Sequence, residues 1–199
     1  MRDKIVGFLG GSFDPIHLGH LNLAITIFEQ VELDLILFCP AHISPTKQHA
    51  PPIASSEHRL NMVRISLEGI PFCRAYEAEL DRPPPSYTID TIRGIDVENI
   101  KLIVYEDVAY TLDQWKDAEE LLRLAPPLVG SSTGFDRKKL DRLPRNIRSI
   151  LCAGVCRIPL MDISSTMIRD RLRRGRYCRH LLLEKVVDYI HQNRLYCDA

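Results

Sequence analysis

The sequence predicts an α/β fold, a doubly wound parallel sheet followed by a helical C-terminal end. Short apolar runs that are typical of buried strands alternate with segments whose apolar residues recur at helical spacing, and this alternation indicates βαβ units. Residues 159–199 instead carry helix patterns, so we expect residues 1–158 to form the α/β core and 159–199 its helical part. The length of 199 residues and the hydrophobic content of 45% suit one domain with a full core.

The first βαβ unit lies at the N-terminus. Residues 4–9 (KIVGFL) form an apolar run that Gly10 and Gly11 end, which predicts a buried strand. Apolar residues at helical spacing over residues 19–31 predict a helix, and the apolar run at residues 33–39 predicts a second strand. Strand, helix and strand in this order imply parallel pairing with a right-handed crossover.

The alternation continues after a loop rich in proline and histidine at residues 40–54. Ser55 or Ser56 can cap a helix, and Thr88 can cap a short one. Trp115 lies in a further helix pattern. Strand patterns follow at residues 71–76 (PFCRAY), 101–105 (KLIVY), 127–131 (PLVGS) and 149–158 (SILCAGVCRI). The last helix patterns lie at residues 162–175, ended by a glycine, and at residues 181–193.

Composition argues against several classes of protein. The 26 Lys and Arg residues equal the 26 Asp and Glu residues, so net charge gives no support for a nucleic-acid partner. The sequence shows no signal peptide and no apolar run long enough to cross a membrane, so we expect a cytoplasmic protein without a membrane partner. Scattered cysteines inside apolar runs favour reduced thiols, and Cys152 with Cys156 lacks the further ligands of a zinc site. The oligomeric state stays open.

A possible phosphate site follows the first strand. Gly10 and Gly11 let the backbone approach a ligand, and a helix that starts near Gly19 directs N–H groups toward the same place. His17 and His20 add imidazole donors that suit phosphate oxygens. The spacing alone leaves a structural role for the two histidines open, and a metal site lacks an evident third ligand. The GxxxxGK[ST] and GxGxxG phosphate motifs are absent.

Two separate motifs carry a resemblance to a known family. GGSFDPIHLGHL (10–21) resembles the opening of the HxGH nucleotidyltransferase superfamily, and ISSTMIRDRLRRG (163–175) resembles its second motif, ISSTxxR. Within that superfamily, SYTIDT (86–91), SPTK (44–47) and Asp107 followed by Trp115 resemble the nicotinate mononucleotide adenylyltransferases. The resemblance implies a Rossmann-like nucleotidyltransferase fold over residues 1–199. It also implies adenylyl transfer from ATP, with Mg²⁺ on its phosphates, to nicotinate mononucleotide, which yields deamido-NAD and pyrophosphate in NAD biosynthesis.

The resemblance further implies a role for each matching residue. The catalytic set is His17, His20, Lys47 and Arg169. The ATP-binding set is Gly10, His17, His20, Asp107, Ser164, Ser165, Thr166 and Arg169. The set that binds the mononucleotide is Gly11, Ser12, Phe13, Lys47, Tyr87, Thr88 and Trp115. Backbone N–H groups near Thr88 also predict a preference for the nicotinate acid over its amide.

Other interpretations remain for several of these residues. Thr166 can be the N-cap of its helix, and Trp115 can be a core residue. The sequence also departs from the family, with Tyr105-Glu106 before Asp107 where the family has a glycine and a small residue, and Ser132-Thr133 where it has arginine and proline. These departures keep two alternatives open: a diverged nucleotide-binding protein with weak or no catalysis, and a related adenylyltransferase with another phosphomonoester acceptor.

Overall fold

The core of the protein is a six-stranded sheet with strand order β3-β2-β1-β4-β5-β6. The structure, a computed structural model, describes residues 4–45 and 48–197. The strands are β1 (Ile5–Gly11), β2 (Leu35–Pro40), β3 (Cys73–Ala75), β4 (Asn99–Tyr105), β5 (Pro127–Ser131) and β6 (Val155–Arg157). The pairs β1–β4, β4–β5 and β5–β6 are parallel, and the strand order reverses direction at β1 and β4. This order confirms the predicted doubly wound α/β fold.

Helices connect the strands, as parallel pairing requires. They are α1 (Leu18–Val31), α2 (Ser56–Leu67), α3 (Thr88–Ile92), α4 (Glu106–Ala109), α5 (Ala118–Leu124), α6 (Arg137–Leu140), α7 (Arg145–Ala153), α8 (Ser165–Arg173) and α9 (Glu184–Gln192), with a 3₁₀ turn at Leu112–Gln114. The positions of α1, α2, α8 and α9 agree with the predicted helices. No helix in the described part of the chain combines the length and the apolar character that a membrane crossing would need.

The chain divides into two compact units, which we call the first and the second unit. The first unit comprises Met1–Leu9, Asn22–Leu37 and Tyr87–Leu160, and the second comprises Gly10–Leu21, Phe38–Ser86 and Met161–Ala199. Close packing inside the first unit explains a glycine in β5, because a Cβ on Gly130 would lie 2.2 Å from Cδ1 of Leu23. In the second unit, Phe13, Phe38 and Met62 are fully buried.

Two predictions of local secondary structure were wrong. Trp115 lies outside a helix, because Asp117 adopts a left-handed backbone with φ of 49° and α5 begins only at Ala118. Residues 149–153 of the predicted strand end α7, whose Ile147 and Leu151 are buried at helical spacing, so only Val155–Arg157 is a strand. Short apolar runs of this kind fit a buried strand and a buried helical turn equally well.

The predicted helix caps also need correction. The N-cap of α3 is Tyr87, without a side-chain hydrogen bond, and Thr88 is the first helical residue. The N-cap of α8 is Ser164, whose hydroxyl accepts from the Met167 N–H at 3.2 Å, so Thr166 is not the cap. Ser55, one of the two predicted choices, caps α2 through the His58 N–H.

Candidate functional site

The two histidines of the first motif form a closed arrangement at the start of α1. The carbonyl of His17 accepts from the His20 N–H at 2.9 Å, and Nδ1 of His20 accepts from the His17 N–H at 3.2 Å. This reciprocal pair resembles a capping box, in which the third helical residue reaches back to the N-cap. Because Nδ1 of His20 accepts this hydrogen bond, the ring proton lies on Nε2, which can act as a donor.

The His17 ring is buried and stacks on the His20 ring, with 3.7 Å between the ring centroids. Burial lowers the pKa of His17 to about 4, so the ring is neutral at pH 7. Its Nδ1 is buried and lacks a hydrogen-bond partner among the described residues. An unpaired buried polar atom is costly, and a phosphate oxygen bound beside this nitrogen would supply a hydrogen-bond partner.

Side chains of the ISSTxxR motif donate hydrogen bonds to the backbone of the HxGH motif. The hydroxyl of Ser165 donates to the Pro15 carbonyl at 2.8 Å, and Nη1 of Arg169 donates to the Asp14 carbonyl at 2.7 Å. Nη2 of Arg169 donates to the Thr166 hydroxyl at 3.3 Å. The buried Nε of Arg169 has no acceptor within residues 4–45 and 48–197. All of these residues belong to the second unit, so the fold brings the HxGH and ISSTxxR motifs together.

The remaining predicted residues of the second unit lie beside these motifs in the chain. Gly10 and Gly11 end β1, and Ser12 follows. Phe13 has a left-handed backbone with φ of 47°, and its buried ring meets the His20 ring edge-on at 5.0 Å between centroids. Lys47 lies outside the described residues, so its predicted role stays a prediction.

The sequence interpretation missed Asp14, the aspartate between the glycines and the histidines. Its buried carboxylate accepts from the N–H groups of Ile53 and Ala54 at 2.9 and 3.0 Å and from the Tyr196 hydroxyl at 2.7 Å. Nη1 of Arg169 lies 3.7 Å from Oδ2 of the same carboxylate. Asp14 therefore joins the first motif, the loop before α2, α8 and the C-terminal segment.

Arg59 is a second residue that the sequence interpretation missed. Its side chain is 1% exposed, and its guanidinium binds acceptors from three stretches of the second unit. These acceptors are the carbonyls of Ser12 (2.7 Å), Ala41 (2.6 Å), His42 (3.0 Å) and Ala54 (3.2 Å) and the hydroxyl of Ser56 (3.1 Å). Burial lowers the pKa of Arg59, and the charge of Asp14 opposes that shift. The only sequence signal was its position four residues before the buried Val63 on α2.

The first unit holds Asp107 and the residues that depart from the family. Asp107 is exposed in the first turn of α4, where it accepts from the Val108 N–H at 2.9 Å. The neighbouring Glu106 carboxylate accepts from the hydroxyls of Ser131 and of Tyr110, the latter at 2.6 Å, and from the Asp136 N–H at 3.3 Å. Glu106 therefore fixes the loop that follows β5.

Trp115 and Tyr87 are also in the first unit, and neither is a core residue. Both side chains are half-buried, and Trp115 lies between the 3₁₀ turn and α5. Nζ of Lys116 lies 4.7 Å from the centroid of the Tyr87 ring and binds Asp90 of α3 at 2.9 Å. The structure thus places a cation next to Tyr87 that the sequence interpretation did not include.

Comparison with known proteins shows the family to which the chain belongs. The sequence profile of the cytidylyltransferase-like family matches residues 8–171. A relative from Roseiflexus sp. (strain RS-1), named "Probable nicotinate-nucleotide adenylyltransferase", is 39% identical over 98% of this chain and 100% of the relative. This chain belongs to the nicotinate-nucleotide adenylyltransferases of the cytidylyltransferase-like family. The resemblance derived from the two motifs is thereby confirmed.

Other members of the adenylyltransferase family agree in length and fold. A relative of the same name from Carboxydothermus hydrogenoformans is 35% identical over 98% of this chain and 100% of its own length. The solved structure of Plasmodium falciparum nicotinic acid mononucleotide adenylyltransferase complexed with NaAD superposes with a TM-score of 0.71 at 18% identity, over 97% of both chains. At this identity the superposition supports the Rossmann-like fold and nothing finer.

Proposed function

We propose that this protein transfers the adenylyl group of ATP to nicotinate mononucleotide, which yields deamido-NAD and pyrophosphate in NAD biosynthesis. One observation carries the proposal: the two family motifs pack together, and Nδ1 of His17 and Nε of Arg169 are buried with no hydrogen-bond partner among the described residues. A bound triphosphate would supply oxygens for the Arg169 N–H and for the nearby donors. The names of the relatives specify nicotinate nucleotide as the acceptor.

The reaction forms a bond between a phosphate oxygen of the mononucleotide and the α-phosphorus of ATP. The bond from that phosphorus to the bridging oxygen breaks, and pyrophosphate leaves with the electron pair. The attacking phosphate monoester is already an anion at neutral pH, so the protein needs no general base. Its task is to align two anions and to bind the charge on the phosphoryl oxygens. Alignment can lower the barrier by roughly 7–11 kcal/mol, and fixed donors lower it further.

The second unit supplies donors for this task. Nε2–H of His20 would donate to an α-phosphate oxygen, and its position is fixed by the hydrogen bond at Nδ1. Arg169 would bind the β- and γ-phosphates with the N–H groups that Asp14 and Thr166 leave free, and Ser164 and Ser165 mark the start of α8 beside it. A neutral His17 adds no charge that would have to be desolvated when ATP enters.

Magnesium fits this site as part of the substrate. Residues 4–45 and 48–197 contain no group of three or more His, Cys, Asp or Glu side chains placed to hold a metal ion. The carboxylate of Asp14 already accepts two hydrogen bonds at Oδ1 and one at Oδ2, which makes it a poor candidate for a metal ligand. The ion would therefore enter on the phosphates of ATP, the usual mode for Mg²⁺ with nucleotides.

In the first unit, we assign Asp107 to ATP, and Tyr87, Thr88 and Trp115 to the mononucleotide. Trp115 is half-buried, and its indole would stack on the pyridine ring. In the second unit, Gly11, Ser12 and Phe13 are assigned to the same substrate and Gly10 to ATP. Lys47 would add a cation for phosphate.

Pyrophosphate release from ATP, measured with a panel of phosphomonoesters, tests the proposal. The panel contains nicotinate mononucleotide, its amide, phosphopantetheine and a polyol phosphate. Release that depends on nicotinate mononucleotide supports the proposal. Release with another acceptor alone would reassign the substrate. ATP binding without release with any acceptor would indicate a diverged nucleotide-binding protein.

A further inference from the structure

We propose that Tyr196 is a positioning residue for Arg169 and acts through Asp14. The inference rests on the proposed function, since it concerns how the ATP-binding arginine is held. It assigns a role in substrate binding to the C-terminal segment that follows α9.

Within the second unit, three contacts connect Tyr196 to Arg169 through Asp14. The Tyr196 hydroxyl donates to Oδ1 of Asp14 at 2.7 Å, and both side chains are at least nine-tenths buried, with 5% and 4% exposure. Nη1 of Arg169 donates to the Asp14 carbonyl at 2.7 Å, yet it lies 3.7 Å from Oδ2 of the Asp14 carboxylate. The guanidinium of Arg169 therefore lies closer to the backbone carbonyl of Asp14 than to the charged carboxylate of Asp14.

The other partners of Asp14 explain this preference. The carboxylate accepts from two backbone N–H groups and one phenol, so most of its charge is already stabilised without Arg169. The guanidinium keeps its positive charge for an incoming phosphate, and its Nε has no acceptor in the part of the chain that the structure describes. A carboxylate with fewer donors would attract the guanidinium from 3.7 Å toward a direct ion pair, and that pair would compete with ATP.

The protonation state of Tyr196 and its backbone agree with this role. Burial and the charge of Asp14 raise the pKa of Tyr196, so the phenol remains a donor at neutral pH. The backbone of Tyr196 is left-handed, with φ of 60°, a conformation that a bulky residue rarely adopts and that the surrounding structure must impose. The Leu195 N–H, which donates to the Ile190 carbonyl at 2.9 Å, closes the turn that brings the ring to Asp14.

The substitution Tyr196→Phe removes the hydroxyl and keeps the ring. The matched control is Tyr189→Phe in α9, because the Tyr189 hydroxyl also bridges distant residues, at 2.9 Å from Nδ1 of His58 and 3.1 Å from Nδ2 of Asn61. Calorimetric titration with MgATP gives the dissociation constant, and pyrophosphate release gives kcat and the KM for ATP. Tyr196→Phe should raise the dissociation constant and the KM for ATP about three- to tenfold, while kcat changes less. The effect is smaller than that of a charge-assisted hydrogen bond lost directly to ATP, because the hydroxyl acts on ATP only through Asp14 and Arg169.

A double-mutant cycle with Arg169→Ala separates positioning from general stability. In the Arg169→Ala background, Tyr196→Phe should leave the dissociation constant unchanged, because the arginine that it positions is gone. The inference is overturned if Tyr196→Phe binds ATP as the wild type does, if its effect persists without Arg169, or if Tyr189→Phe weakens ATP binding equally. Failure of the wild type to bind MgATP would also overturn it. A wild type that binds ATP but releases no pyrophosphate contradicts the proposed function alone, since the titration still decides the role of Tyr196.

Discussion

Replacing His20 by alanine should reduce kcat by about 10²–10³-fold, which is the usual cost of losing one fixed donor to a transition-state oxygen. The donor is Nε2–H, whose direction follows from the 3.2 Å hydrogen bond between Nδ1 and the His17 N–H. ATP binding should weaken much less, because the charge on the phosphoryl oxygens that this donor binds is largest in the transition state.

The alanine variant also removes the acceptor for the His17 N–H, which should lower the free energy of unfolding by roughly 0.5–1.5 kcal/mol. His20→Asn separates the two losses. Oδ1 of asparagine can take the place of Nδ1 and keep that hydrogen bond, whereas no asparagine atom reaches the position of Nε2. We therefore expect His20→Asn to unfold near the wild-type denaturant concentration and yet to show a kcat close to that of His20→Ala.

Pyrophosphate release at saturating ATP and nicotinate mononucleotide, together with urea unfolding of both variants, provides the measurement. A folded His20→Asn enzyme with wild-type kcat would refute the reasoning, because it would show that the Nε2 donor is dispensable. A low kcat in both variants that is matched by a large loss of stability would instead assign His20 to folding.

Three further predictions concern stability and substrate binding. The pKa of His17 falls from 6.5 to about 4 on folding, so the neutral ring contributes its full stability above pH 6.5 and loses it as the pH falls toward 4. The free energy of unfolding should therefore fall by about 2 kcal/mol more for the wild type than for His17→Gln between pH 7 and 4.5, and parallel urea-unfolding profiles would contradict this. Arg59→Lys should lower the free energy of unfolding by about 2–5 kcal/mol, because lysine cannot donate to all five acceptors of Arg59. The control Arg64→Lys, on the exposed face of α2, should lower it by under about 0.5 kcal/mol, and equal thermal midpoints of the two variants would refute the prediction. Trp115→Ala should raise the KM for nicotinate mononucleotide and for its amide alike, by about tenfold, from lost ring stacking, and an unchanged KM would remove Trp115 from the site.

The sequence sufficed for most of the fold because buried parallel strands are short apolar runs between turn residues. It failed at residues 149–153 and at Trp115, where the deciding factor was tertiary. An apolar run at the end of α7 packs through Ile147 and Leu151 at helical spacing, and a left-handed Asp117 ends the continuity that the periodicity around Trp115 suggested. Neither the packing partner nor a single positive φ can be inferred from local composition.

The candidate site shows a different limit of sequence interpretation. His17, His20 and Arg169 could be named because their side chains suit phosphate chemistry. Asp14 and Arg59 could not, because Asp14 binds backbone N–H groups and Arg59 binds backbone carbonyls of segments distant in sequence, and backbone groups leave no pattern in the residue types.

The structure connects the two places where the sequence departs from the family, which are the residues that suggested weak catalysis as an alternative. In the sequence, the departures lie at two places: Tyr105-Glu106 replaces a glycine and a small residue before Asp107, and Ser132-Thr133 in the loop after β5 removes one arginine. In the structure, the Glu106 carboxylate binds the Ser131 hydroxyl and the Asp136 N–H, and the Ser131 hydroxyl accepts from the Gly134 N–H at 2.9 Å. The Glu106 carboxylate therefore helps to hold the loop that contains Ser132 and Thr133. These hydrogen bonds do not replace the cation that an arginine would supply, so the alternative of weak catalysis rests on Tyr105 and the missing arginine, and the pyrophosphate assay decides it.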